Sequence, residues 1–487
     1  MAGLLDTSLI RNAQFRWFCG FALRKREVGL MVGVSDVAAG EAQCPRTLEE
    51  VDLFESGAQA HWYPAYEILH REAPVHKIPG EGITPGTDAY ILTKHADIKR
   101  VVRDAERFPP LLKLLVQQIE QSGQLPTAMP DIDAMIASIA TLRPDEVLWR
   151  QHRKQLTDPW VGPGATRHNE MITAHVDDLI NGWFDRASAG EVVDFVAEFA
   201  RPLPQRVMAS ILGLPQEDIP QLEVWGNAQV MSYVIGKTHR NILTPEQTEE
   251  KFRILAGFKQ YVADKVQEKR KRPDASMISF LCEVEYEALE RKLTDDEING
   301  IVYAMVIGGL ETTQYAIAEQ AQIICDGVED ENGAHGHKDL FSTLKQDRSL
   351  IRTFIEEGMR LRSPTQGLST RICSQNEVFQ DVEVPAGSQL HLRWAAANID
   401  EDEFDDPLEI KLDRRAATRH LAFSQGLRSC PGANLSRVEQ MIAWNRLFDR
   451  FDAIAYAPGN TFERQPGIML GTSALHLHLT TAREEHA

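Results

Sequence analysis

Cys430 lies in the run Phe423-Ser424-Gln425-Gly426-Leu427-Arg428-Ser429-Cys430-Pro431-Gly432, which sets a thiol among two glycines, a cation and an aromatic ring. A cysteine that ligates iron must be ionised, shielded from water, and supported by backbone N–H groups that approach its sulfur. Gly426 supplies backbone angles closed to other residues, and Gly432 puts no side chain between the following segment and a flat macrocycle. Arg428 offers a permanent cation to a buried carboxylate such as a haem propionate. Phe423 is placed to screen one side of the sulfur. The run from Ala433 to Phe448 reads as a helix, whose N-terminal dipole favours an anionic sulfur just ahead of it. A lone cysteine is otherwise most often a small buried hydrophobe, so the surrounding pattern, and not the thiol alone, points to an iron ligand.

Gly308-Gly309-Leu310-Glu311-Thr312-Thr313 falls in the middle of a long apolar run. Two glycines inside a helix cost roughly 0.8–1 kcal/mol each relative to alanine, so something must offset them. Close approach by a flat ligand would do so, with Glu311 and Thr312 beside it as an acid and an alcohol able to relay protons. Glycine also permits close helix crossing, and on these residues alone a packing pair with a polar stripe is the alternative. Glu357 and Arg360 stand three apart, near enough on one helix face to pair. Trp149 and Arg153 stand four apart, in a run whose Trp149 is otherwise an ordinary core aromatic.

Taken together, these runs resemble the cytochrome P450 family, the haem-thiolate monooxygenases, over roughly Leu53 to Leu479. The resemblance implies a mainly α-helical fold with a small β region, and haem b (iron protoporphyrin IX) between the Gly308 to Thr313 helix and the Cys430 loop. It makes Cys430 the iron ligand and gives Glu311 and Thr312 the delivery of protons to bound dioxygen. Gly308, Gly309, Phe423, Gly426, Arg428 and Gly432 would border the haem. Trp149, Arg153, Arg371 and His420 would reach its propionates. The Glu357–Arg360 pair would join a downstream arginine, for which Arg414 is the candidate, in a network that serves folding and haem incorporation. The implied chemistry is hydroxylation, epoxidation or oxidative dealkylation of a hydrophobic small molecule. A peroxide-driven peroxygenase and a non-catalytic haem or gas sensor are the rival readings, and the Glu311-Thr312 pair disfavours the first.

The whole chain fits an ordinary soluble protein: 487 residues, 43% hydrophobic, 25% charged. Its formal net charge of −19 disfavours a nucleic-acid partner, which demands clustered cations. Six scattered cysteines without CxxC spacing indicate neither a disulfide framework nor a zinc site. A cytoplasmic setting is expected. No run reaches the roughly 18 uninterrupted apolar residues of a membrane span. Residues 1–40 are expected to be an N-terminal extension and 41–487 a single catalytic domain. No flavin or iron–sulfur domain is evident, so electrons are expected from a ferredoxin and ferredoxin reductase. The cluster Arg150, His152, Arg153 and Lys154, with Arg437 near the cysteine loop, is the expected docking patch.

Periodicity places a hairpin at Val75 to Ile78 and Ala89 to Thr93, then a helix from His95 to Arg107. Further helices are expected at 147–157, 171–185, 192–212, 216–234, 244–270 and 347–362, with the longest running from Thr294 to Cys325. Short strands are expected at 382–385, 389–393 and 475–479. Candidate substrate-lining segments are 108–144, 226–236, 302–307, 367–370 and 468–473. His335 and His337, in a polar insert, and His476 and His478, on one strand face, read as ordinary solvated or structural histidines, since a metal site needs three or four ligands.

Overall fold

The computed structural model describes residues 43–481 other than 56, 83–85, 111–140, 144, 232–242, 327–339, 368, 463 and 465–468. The expected N-terminal extension, most of the 108–144 segment, and the insert with His335 and His337 lie outside the described residues.

Helices dominate and β structure is minor, as expected. The four-stranded sheet runs Val75–Ile78, Ala89–Leu92, Gln389–Leu392, Ser369–Ile372 in space. Its first two strands form the expected hairpin, with Val75 opposite Leu92. Ala89–Leu92 then pairs in parallel with Gln389–Leu392, joining the start of the chain to its far end. A three-stranded sheet orders Ala453–Tyr456, His476–Thr480 and Val193–Asp194.

Several helices begin where the sequence chemistry dictates. Thr294 and Glu297 form a reciprocal capping box ahead of Asp295–Gly309, and Thr244 and Gln247 do the same ahead of Pro245–Lys271. Asp145 caps Glu146–His152 by accepting from the Leu148 N–H. That helix continues into a wider π turn, Arg153–Thr157, at the Trp149–Arg153 pair.

Two expected helices are divided. The 192–212 segment opens with the short strand Val193–Asp194, passes through a π turn at Val196–Ala200, and becomes an α-helix only at Pro202–Leu212. Pro202 lacks an N–H and is tolerated at the first helical turn. The long 294–325 helix is broken: Asp295–Gly309 ends before Leu310 and Glu311, and Thr312–Asp326 follows. The strand Ala453–Tyr456 was not among the expected elements; only four residues long, it is defined by its pairing with His476–Thr480. Among the described residues, Cys282, Cys325, Cys373 and Cys430 are free.

The main core gathers around the Ala433–Arg450 helix, where Trp444 is fully buried against Phe354 and Phe448. A polar chain crosses this core. Thr313 donates to Ser436 at 2.9 Å, Gln440 to the Ser436 hydroxyl at 2.9 Å, Gln320 to Gln440, and Trp444 Nε1 to Gln320 at 2.7 Å. Because buried polar groups are stable only when paired, this chain fixes the register between the broken helix and the helix that follows Cys430.

Candidate haem-binding active site

The Cys430 loop is shaped by its backbone. Gly426 takes φ +77°, and a Cβ there would stand 3.2 Å from the Val102 carbonyl oxygen. Ser424 also adopts a positive φ, +56°, unusual for a residue with a side chain. The Cys430 N–H donates to the Phe423 carbonyl at 2.8 Å and closes the turn. A Cβ on Gly432 would lie 3.9 Å from Cys430 Sγ, ordinary contact on the sulfur side. The Cys430 side chain is accessible, yet enough protein surrounds it to push its pKa up by desolvation; the Gly432 and Ala433 N–H groups, Arg153 and Arg437 oppose that shift.

Across from the loop, the break at Leu310 and Glu311 is closed by Thr312, whose hydroxyl donates to the Gly308 carbonyl at 2.9 Å. Threonine bonding back to residue i−4 bends helices. The two glycines differ. A Cβ on Gly308 would meet nothing within 4 Å, whereas one on Gly309 would fall 2.3 Å from the Met208 methyl. Gly308 is therefore the bare surface a flat ligand requires, and Gly309 is a packing glycine against the Pro202–Leu212 helix. Glu311 is buried and accepts from Tyr315 at 3.2 Å. Burial raises its pKa to about 7.

Three arginines crowd the expected propionate position. Arg143 and Arg428 lie on the Trp149 ring, 4.5 and 4.1 Å from its centroid. Burial and the Arg428 cation push Arg143 and Arg371 each down to about 10. The buried Nε atoms of Arg143 and Arg428 and Nε1 of Trp149 have no partner. Like charges gathered with free donors fit a dianionic ligand edge such as a pair of propionates. Arg143 was not among the expected residues; it lies six residues ahead of Trp149, and only its stacking on that ring brings it into the cluster. Arg153 instead clasps the cysteine loop, donating to the Ser429 carbonyl at 2.8 Å and pairing with Asp158 at 3.1 Å.

His420 departs from expectation. Its Nε2 donates to Glu356 at 3.0 Å and its Nδ1 accepts from the Ala422 N–H, leaving neither ring nitrogen for a propionate. Glu356 also binds Arg437 through Nε at 2.6 Å and Nη2 at 2.9 Å, and Arg437 lies 4.6 Å over the Phe423 ring. The docking patch shrinks accordingly: Arg437 and Arg153 have internal partners and His152 is buried, which leaves Arg150 and Lys154 on the surface.

The Glu357–Arg360 pair is fully buried, at 2.7 Å. Arg360 also donates to the carbonyls of Asn398, Pro407 and Glu409. Arg414 Nε comes to 2.9 Å of Glu357, the expected third member; the contact is an ion pair by distance, without hydrogen-bond alignment. Asn398 accepts from the Leu421 N–H at 2.6 Å, which carries the network to the cysteine loop.

The sequence pattern described as Cytochrome P450 matches residues 115–478. The chain belongs to this family. It is a cytochrome P450 monooxygenase, and in this family haem b is held through a cysteine thiolate. Among curated relatives, the polyketide biosynthesis cytochrome P450 PksS of Bacillus subtilis is 26% identical over 439 residues, covering 89% of this chain and 100% of that protein. Vitamin D(3) 25-hydroxylase of Pseudonocardia autotrophica is 26% identical over 412 residues, covering 84% and 91%. Solved P450 structures share the fold. P450BioI, in complex with hexadec-9Z-enoic acid ligated acyl carrier protein, has a TM-score of 0.71 at 22% identity and covers 87% of this chain and 100% of its own. A mutant of P450 EryK in complex with erythromycin B has a TM-score of 0.69 at 24% identity, covering 90% and 100%. No helix among the described residues is long and apolar enough to cross a membrane.

Glu356 yields a prediction of pH dependence. Its partners hold its pKa down to about 2 from 4.5, so its contribution to stability is present above pH 4.5 and lost as pH falls toward 2. Glu356→Gln should lower stability at neutral pH by about 3 kcal/mol and flatten the acid limb of the denaturation midpoint against pH. An unchanged acid limb would refute it.

Proposed function

We propose that this P450 inserts one atom of dioxygen into a hydrophobic small molecule, with Cys430 as its iron ligand and electrons supplied by a ferredoxin and its reductase. The observation that carries this reading is the pairing of Cys430, in a loop closed on Phe423, with the bare Gly308 surface next to the Thr312 hydroxyl. The chemistry supplied by bound haem is reductive activation of dioxygen, assisted by electron donation from the thiolate.

The chain's own residues do the rest. Arg143, Arg371 and Arg428 would hold the propionates, with Arg143 and Arg428 both lying over the Trp149 ring. Arg153 holds the Ser429 carbonyl and so fixes the residue before the sulfur. Thr312 carries a hydroxyl at the helix break, where it passes a proton toward the oxygen side, and Glu311 resupplies that proton. The segments expected to line the substrate include Gly367 and Met469 to Ser473; Leu470 donates to the Pro364 carbonyl at 2.7 Å, which binds the two together. Arg150 and Lys154 border an open groove of about 620 Å³, beside Val147, which is 70% exposed. Exposed cations around an apolar contact suit an acidic ferredoxin, because complementary charge steers encounter.

Two substitutions test these roles. Arg143→Leu removes a buried cation from a like-charged cluster. Haem transfer to an excess of an apo-globin should quicken by roughly tenfold, while the urea midpoint of the haem-free protein holds or rises. Unchanged haem transfer would exclude Arg143 as an anchor. Thr312→Ala should send a larger share of consumed dioxygen to hydrogen peroxide, with productive turnover down by roughly tenfold or more. Unchanged peroxide yield would contradict the relay.

A further inference from the structure

Glu311 does not turn its carboxyl to Thr312. It faces a small polar chamber bordered by Arg201, Gln205, Glu223, Asn227 and Gln314, which Thr312 does not line. The chamber has room for about one water molecule. Arg201 and Glu223, which border it, pair at 3.3 Å and are 24% and 35% exposed, so the chamber's charged side adjoins solvent. The carboxyl's hydrogen-bond partner is Tyr315, four residues on in the helix that starts after the break and 1% exposed.

Tyr315 is itself held from the other side. A Cβ on Gly471 would fall 2.5 Å from the Tyr315 ring, so the ring lies flush against that glycine's backbone. The same loop reaches the chamber a second time, where Arg201 Nη2 donates to the Ser473 carbonyl at 3.1 Å. This loop belongs to the segment expected to line the substrate.

We propose that Tyr315 is a positioning residue for proton delivery: it holds the Glu311 carboxyl toward the Arg201–Glu223 chamber, and the loop at Gly471 fixes the ring that holds it. This rests on the reading of Glu311 as a proton carrier and names what aims it. Each proton that Glu311 gives up on the oxygen side is replaced by one drawn from solvent through the chamber. Rotation of the carboxyl between the two sides requires release from Tyr315, so the position of the Gly471 loop governs resupply.

The groups facing Glu311 are Tyr315 on Thr312–Asp326, Glu223 on Ile219–Met231, and Arg201 ahead of Pro202–Leu212. The Tyr315 hydrogen bond and the Arg201 charge favour the carboxylate; Glu223 disfavours it. The variants therefore move in opposite directions.

The test uses the haem-loaded protein with a ferredoxin and ferredoxin reductase, and dioxygen as the probe without organic substrate. Dioxygen reduction consumes protons, and its maximal rate is followed across neutral pH. Tyr315→Phe should move the inflection to higher pH by up to about one unit, and Gly471→Ala, whose methyl displaces the ring, should move it the same way. Glu223→Gln should move it to lower pH. The red-shifted ferrous carbon monoxide band of each variant, recorded alongside, reports the haem–thiolate bond separately. With that band intact, an inflection that stays at the wild-type pH in Tyr315→Phe and Gly471→Ala overturns the proposal while leaving the monooxygenase reading standing. Should Tyr315→Phe fail to hold haem, Gly471→Ala and Glu223→Gln decide: shifts of opposite sign support the proposal and their absence overturns it. Loss of the band in the wild-type protein would instead defeat the reading beneath.

Discussion

Protein packed around Cys430 disfavours a charged sulfur, while the Gly432 and Ala433 N–H groups and the Arg153 and Arg437 guanidiniums favour it. The loop geometry follows from that opposition. Gly426 and Ser424 turn the chain with positive φ, so the cysteine N–H can close on Phe423. The helix that starts at Ala433 then directs its N-terminal dipole at the sulfur. Bound iron would complete the balance at Cys430, because a coordinated thiol is deprotonated outright.

A loop built this way needs rigid supports, and three converge on it. Arg153 reaches it from the Trp149 helix. The Glu357–Arg360–Arg414 cluster reaches it through Asn398 and Leu421. Glu356 reaches it through His420 and Arg437. A buried ion pair need not add net stability over an apolar one, but breaking one member leaves an uncompensated charge. Adjacent residues Glu356 and Glu357 thus hold the same loop by two routes, and the polar chain from Thr313 to Trp444 ties its helix to the oxygen side.

Much of this was legible in residue type and spacing. The cysteine loop, the Glu357–Arg360 pair and the Thr294 cap are local patterns with local causes, and the structure reproduces their geometry; Arg414, expected only from the resemblance, joins the pair from a distant segment. The rest depends on contacts between segments far apart in sequence. Spacing could not say that Gly308 faces open space while Gly309 packs on Met208. Nor could it say that His420 belongs to Glu356, or that Arg143 and Arg428 share the Trp149 ring. The helix break at Leu310 was hidden because Thr312 repairs it with a side chain, a bond that periodicity does not register. The patch expected to greet a redox partner lost Arg153 and Arg437 to the acids that hold them and His152 to burial, none of which a cation in sequence announces.

The central claim is that Cys430 is the thiolate that binds haem iron. Its most direct measurement is the ferrous carbon monoxide spectrum of Cys430→Ser beside that of the wild-type protein. The account predicts a red-shifted Soret band in the wild type and its loss in the variant, because an oxygen ligand donates far less charge to the iron than a thiolate. Survival of the red-shifted band in Cys430→Ser would contradict it.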